Sequence, residues 1–453
     1  MGNPYRQILR RRVPEPILAL LAFVMGVYLW DIHFGPVAGY EQGTCQMALL
    51  KNDRDLRLAD ATAGLPPLLR SALAIPDRRE ALETAVGGLE QLGRAGALDP
   101  EGAYALAILS QLGRGENPAR GPFVQFGLPG PPDPRTVLQR IQEKDDSWWD
   151  REYLRNIEIG SESELELYAG TAEADPRNRE LAMRAILSRG AVWLLVLAGL
   201  AFLPTVFRSF GRGLKSRAGG YVGNLPLGLG LCVFLLAYLA SNGFGEVLNQ
   251  LISGAWAGEN ARPVMLSPVV FAMVDLTARI LPALVALGFL FRSGRHALGR
   301  LGLNARPELG LVLGTFALIT LIDQLLRRTI GESVVQDPTG GLSSMDSGPL
   351  GLMLAFTSAC IAAPVAEEIL YRGVLFRSLA NRLRVPAATL LSAAVFAVVH
   401  FYNAYGLISV GILGAACALC FASSGRLVTA IVLHSLYNTA IKVPEWIVYH
   451  AAL

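Results

Sequence analysis

Long apolar stretches alternate with short arginine-bearing ones through most of the chain, and one long polar segment interrupts them near the beginning. A bilayer-crossing helix needs about 20 mostly apolar residues. Such stretches predict spans near 15–34, 190–208, 225–241, 264–291, 308–326, 349–379, 386–403, 405–423 and 427–449. The expected fold is therefore an all-α polytopic membrane protein of about nine transmembrane helices. The first of them, "ILALLAFVMGVYLW", is short and follows "RQILRRR". It reads as an uncleaved signal anchor or a cleaved secretory signal, and the lack of a clear small-x-small site after it favours the anchor.

Arginine distribution sets the expected orientation. Arg6, Arg10, Arg11 and Arg12 place the N-terminus in the cytoplasm. The loops "RSFGRGLKSR" (208–217), "RSGRHALGRLGLNAR" (292–306) and "RSLANRLR" (377–384) then fall on the same side. "GENAR" and "QDPTGGLSSMDSG" fall outside, with Arg327 and Arg328 as the exception at an outer end. Residues 1–35 thus form a basic terminus and anchor, 36–189 an extracytoplasmic domain inserted after the first span, and 190–453 the multi-spanning part. Within 36–189, "RREALETAVGGLEQLGRAG" and "NRELAMRAILSRG" have helical periodicity. Asp-Pro pairs at 99–100 and 175–176 precede helix-like runs, whereas "FGLPGPPDPRT" has turn chemistry.

Composition agrees with the pattern. Of 453 residues, 52% are hydrophobic and 17% charged, against about 25% charged in a soluble domain. The net charge of +3 gives no case for nucleic-acid binding. Five scattered cysteines supply no disulfide framework for the polar segment, which holds only Cys45. Cys417 and Cys420 form a C-x-x-C in an Ala-rich apolar run, read as small packing residues over a redox pair.

Three charges break the apolar pattern at "APVAEEILYRGVLF" (362–375), although each costs roughly 2.5–3.5 kcal/mol at the centre of a membrane helix. On a regular helix Glu367 and Glu368 face different ways, while Glu368 and Arg372 share a face one turn apart. Glu368 is then neutralised within its helix, and Glu367 is left without a local partner. Phe396 and His400 repeat the four-residue spacing in the next span, and His434 and Asn438 in the last. Asp275–Arg279 and Asp323–Arg327 have it too and read as architectural pairs. Depth raises a difficulty: Glu367 lies about 15 Å from Arg377 and His400 about 24 Å from Arg384 at 1.5 Å per residue. Straight rods would miss one another, so tilt or a re-entrant start near Pro386 must close the gap. Pro364 is placed to kink its own helix.

The order E-E-x-x-x-R, F-x-x-x-H, H-x-x-x-N over 362–440 resembles the CPBP family of intramembrane proteases, which includes the CAAX prenyl endopeptidases and bacteriocin-processing or immunity proteins. The resemblance covers roughly 225–450. It implies a metal-independent glutamic endopeptidase without a cofactor: Glu367 as the general base assisted by His400, Asn438 and His434 as oxyanion donors, and Glu368, Arg372 and Phe396 as structural support. A carboxylate withdrawn from water is a stronger base, and an amide aimed at a developing oxyanion is effective in a dry cavity.

Two alternatives stay open on the residues alone. Glu367, His400 and His434 form a ligand set that catalytic zinc accepts. Buried carboxylates and histidines also serve transporters, scaffolds or immunity proteins. The expected partners are the lipid bilayer and a membrane-associated peptide or protein substrate, with an envelope partner for 36–189 and no nucleic acid. An arginine-rich chain with an exported domain reads as bacterial, hence an inner-membrane protein.

Overall fold

The structure is a computed structural model that describes residues 42–94, 96–114, 133–143, 147–156, 176–216, 226–253, 268–290, 299, 301–330, 348–400 and 404–450. Every regular element among them is helical. The expected first span, the arginines before it and the loops "GENAR" and "QDPTGGLSSMDSG" lie outside these residues. The described residues fall into two compact units, one within Val37–Ala191 and Val443–Leu453, the other within Val192–Val335 and Asp346–Lys442.

The first unit is built from α1 (Gln42–Ala61), α2 (Pro67–Ala72), α3 (Arg78–Arg94), α4 (Pro100–Arg114), α5 (Pro134–Gln142), α6 (Trp148–Asn156) and the start of α7 (Pro176–Leu200). The Asp-Pro reading at 99–100 is a working helix start: Pro100 fills the first position, and Asp99 Oδ1 accepts the Gly102 N–H at 2.7 Å. Asp77 caps α3 in the same way through the Glu80 N–H at 2.8 Å. The buried face of α1, including Cys45, Leu49, Leu56 and Ala59, shares one core with Leu89, Leu106 and Trp149. Several polar groups around it are paired. Asp53 accepts the Trp148 N–H at 2.6 Å, and Asp150 accepts Tyr104 O–H at 2.5 Å and the Ser147 N–H at 2.9 Å.

Residues at the chain's end join this unit, although the sequence extends the last span to 449. The Val448 carbonyl accepts from Arg54 at 2.8 Å, and Tyr449 O–H donates to Asp55 at 2.6 Å.

The second unit holds the end of α7, then α8 (Leu203–Lys215), α9 (Leu227–Ser253), α10 (Pro268–Leu290) and α11 (Leu309–Ile330). The long helix α12 (Gly348–Ala380) follows, then α13 (Val385–Val398), α14 (Ala404–Ser424) and α15 (Leu427–Glu445). Among the described residues, four helices are long and apolar enough to cross a membrane: Arg177–Leu200, Leu309–Ile330, Gly348–Ala380 and Ala404–Ser424. The others differ from their expected spans for local reasons. The stretch 190–208 is divided at Ala201–Phe202, and α8 begins there with Pro204 in its first turn. That new helix continues to Lys215, so most of the expected cytoplasmic loop 208–217 is helical. The apolar part of α9 is Leu227–Ala240, and α13 has 14 residues, short of the 18 expected for 386–403.

Two stretches of α12 are π-helical, Thr357–Ala362 and Glu368–Phe376. A π turn closes its bond five residues along instead of four, and such turns recur at functional sites.

Cysteine chemistry in the first unit gives a check. Burial pushes the Cys45 thiol up to about 11, with Asp99 beside it as a secondary influence. At pH 8 its thiolate fraction is then on the order of one in a thousand. Iodoacetamide should leave Cys45 unmodified in the folded chain at pH 8 and label it after denaturation, as read by peptide mass spectrometry.

Candidate active site

Four helices of the second unit each contribute to one buried cluster. From α12, Glu368 and Arg372 are both fully buried, with Arg372 Nη1 3.0 Å from Glu368 Oε1. The four-residue spacing therefore produces the pairing expected of it. From α14, the Gly414 carbonyl accepts Arg372 Nη2 at 2.8 Å. The Phe396 ring of α13 lies under the guanidinium at 4.5 Å, a cation–π contact in a dry setting. His434 of α15 completes the group: its Nδ1 is 2.9 Å from Glu368 Oε1. A carboxylate only accepts, so Nδ1 carries the proton of that bond.

The other face of the same imidazole meets the second carboxylate. His434 Nε2 stands 3.8 Å from Glu367 Oε2. Glu367 therefore has a partner after all, supplied by another helix and invisible in its own helical surroundings. The two adjacent acids differ in exposure as well: the Glu368 side chain is at 0% and that of Glu367 at 26%.

His400 and Asn438 sit at the margin. Phe396 touches both imidazoles, with centroids at 4.7 Å for His400 and 5.8 Å for His434. α13 ends at Val398, so His400 lies two residues beyond its helix. His400 Nδ1 donates to the Phe396 carbonyl at 2.6 Å. Asn438 Nδ2 donates to the Ala359 carbonyl in the first π stretch at 2.9 Å.

The zinc set Glu367, His400 and His434 is not brought together. Among the described residues, the three metal-binding groups that approach within 4.8 Å of one another are Glu368, Cys417 and His434. Arg372 already occupies the charge-balancing position beside Glu368, so a cation there would meet a guanidinium. This donor set fits a metal poorly. Cys417 and Cys420 are free thiols, both buried, and pack as the Ala-rich run suggests.

Gly414 and Tyr371 escaped the motif reading. Tyr371 fills the space between Phe234 and Phe396 at 5.2 and 4.9 Å. Gly414 had one legible signal, a glycine inside an apolar helix, which marks close backbone approach. A Cβ there would stand 3.0 Å from Phe396 Cδ1 and 3.3 Å from Ala393 Cα.

Residues 349–440 match the family model described as type II CAAX prenyl endopeptidase Rce1-like. This segment is thus similar to CAAX-type proteases. It runs from the start of α12 to the end of the H-x-x-x-N motif, and so contains every residue of the cluster. Searches of curated proteins and of solved structures gave no match.

Arg372→Met leaves Glu368 buried and unbalanced and should destabilise the unit by about 3–5 kcal/mol, seen as a lower thermal midpoint in detergent. Pairing it with Glu368→Gln should recover part of the loss. Gly414→Val should cost about 1–3 kcal/mol by driving Phe396 and α14 apart.

Proposed function

We propose that this chain is an intramembrane endopeptidase in which Glu367 activates water against a peptide bond of a membrane-associated substrate. The observation that carries the reading is the division of labour between adjacent carboxylates. One is sealed with Arg372, the other is partly open, and one imidazole touches both. An enzyme using a carboxylate as base needs that group reachable by water and held in place; a purely architectural ion pair needs neither.

In this mechanism Glu367 takes a proton from water as the water oxygen attacks the carbonyl carbon. The same proton passes to the departing amine when the C–N bond breaks. His434 receives its orientation from Glu368 and places its Nε2 3.8 Å from Glu367. Asn438 spends one N–H on Ala359 and keeps the second for the oxyanion. A protonated His434 also serves as donor there, and His400 assists from across Phe396. Removing one such donor typically costs about 100- to 1000-fold in rate.

The family description points to prenylated C-terminal peptides as one substrate class to try, within the wider class of membrane-bound peptides and proteins. The proposed setting is a bacterial inner membrane, with residues 36–189 outside and available to an envelope partner. Connectivity supports that topology. Both the start of α7 and residues from Val443 onward belong to the polar unit. The chain between them must cross the bilayer an even number of times, as the eight expected spans after the first would do.

Wild-type protein in liposomes should cleave members of a peptide library that includes farnesylated CAAX-type peptides. Glu367→Ala should abolish product, and Asn438→Ala should reduce it about 100-fold or more. Equal product from wild type and Glu367→Ala would remove the protease reading.

A further inference from the structure

Pro364 lies three residues before Glu367 and reads in the sequence as a kink. Its missing N–H has a more specific consequence, which rests on the role of Asn438 proposed above. In the π stretch Thr357–Ala362 the backbone bonds reach back five residues, and the last of them runs from the Ala363 N–H to the Ser358 carbonyl. The next in that series would run from residue 364 to the Ala359 carbonyl. A proline cannot donate it. The Ala359 carbonyl therefore has neither of the helical donors in reach, Ala363 being committed to Ser358. Its bond comes from Asn438 Nδ2 instead.

The turn that presents this carbonyl is held from its other side. Ser358 is fully buried and its hydroxyl donates to Asp275 of α10, which also binds Arg279 at 2.8 Å. An architectural pair in the sequence thus anchors the π stretch. A carboxamide is planar with two N–H donors, so tying one of them to a fixed carbonyl sets the direction of the other.

We propose that Pro364 is a positioning residue for Asn438. By withholding a backbone donor it reserves the Ala359 carbonyl as the anchor of the Asn438 amide, and so aims the remaining N–H at the substrate oxygen. Glu367, one turn further along, and Asn438, from another helix, are then registered against the same short stretch of α12.

Thermal midpoints of the full chain in detergent, for wild type, Pro364→Ala, Asn438→Ala and the double variant, test this without reference to activity. In the wild-type background Asn438→Ala strands the Ala359 carbonyl and lowers the midpoint. In the Pro364→Ala background residue 364 supplies the missing N–H, and the same substitution should cost less than half as much. Equal losses in both backgrounds overturn the proposal. Should Pro364→Ala not fold, hydrogen exchange in Asn438→Ala decides: faster exchange confined to 357–363 supports it, and unchanged exchange there overturns it. On the library peptide that wild type cleaves best, Pro364→Ala should lose about 100-fold in kcat with KM little changed, and should add nothing to Asn438→Ala. Full activity of Glu367→Ala would sink the protease reading while leaving the thermal coupling to stand or fall alone. An inactive Glu367→Ala with additive midpoints would sink only the role of Pro364.

Discussion

Glu368 and Arg372 are both withdrawn completely from solvent, and the cost of doing so shapes everything around them. Two desolvated ions repay their transfer only when the geometry is good and the remaining donors and acceptors find partners. Here the partners that are found come from different helices: a backbone carbonyl at Gly414, an aromatic face at Phe396 and an imidazole at His434, while Glu368 Oε2 and Arg372 Nε have no hydrogen-bond partner among the described residues. Any of the four helices that drifted away would leave a buried charge less well compensated. The ion pair therefore acts as the node that keeps α12, α13, α14 and α15 in register, and the histidine it captures is the one that reaches Glu367.

Helix α12 meets that demand by departing from regular α geometry. Its two π stretches bracket the short α segment Ala363–Glu367. Widening the turn before Pro364 accommodates a ring that would clash with the carbonyl four residues back. Within the second π stretch Glu368 and Arg372 pair inward, while Glu367 stays at the edge. The same distortion exposes the carbonyl that Asn438 uses, so backbone irregularity and side-chain placement have one origin.

A second polar node lies elsewhere in the membrane unit. Asp323 of α11 accepts Tyr405 O–H at 2.9 Å and Ser409 O–H at 2.6 Å, and Ser409 is 3.0 Å from Tyr437 O–H. Hydroxyls of α14 and α15 thus meet a carboxylate of α11. Polar groups in this unit repeatedly bond across helices, where an apolar surround leaves water no share in satisfying them. Tyr437 neighbours Asn438, so this network also restrains the helix that carries His434.

Sequence alone determined what depends on neighbours along the chain. Apolar runs made helices, Asp-Pro pairs started them, and four-residue spacing brought Glu368 to Arg372 and Phe396 to His400. Span lengths were less legible, because a local break such as Ala201–Phe202, where a new helix opens with Pro204 in its first turn, and the short α13 do not follow from how apolar the run is. Tertiary structure alone decided what depends on residues far apart in the chain. It gave Glu367 a partner in His434, tied Asn438 to Ala359, drew Gly414 against Arg372 and joined Val448 and Tyr449 to the polar unit. Helical periodicity specifies one rod at a time; the angle, depth and local winding at which rods meet come from the buried charge and backbone groups they must satisfy together.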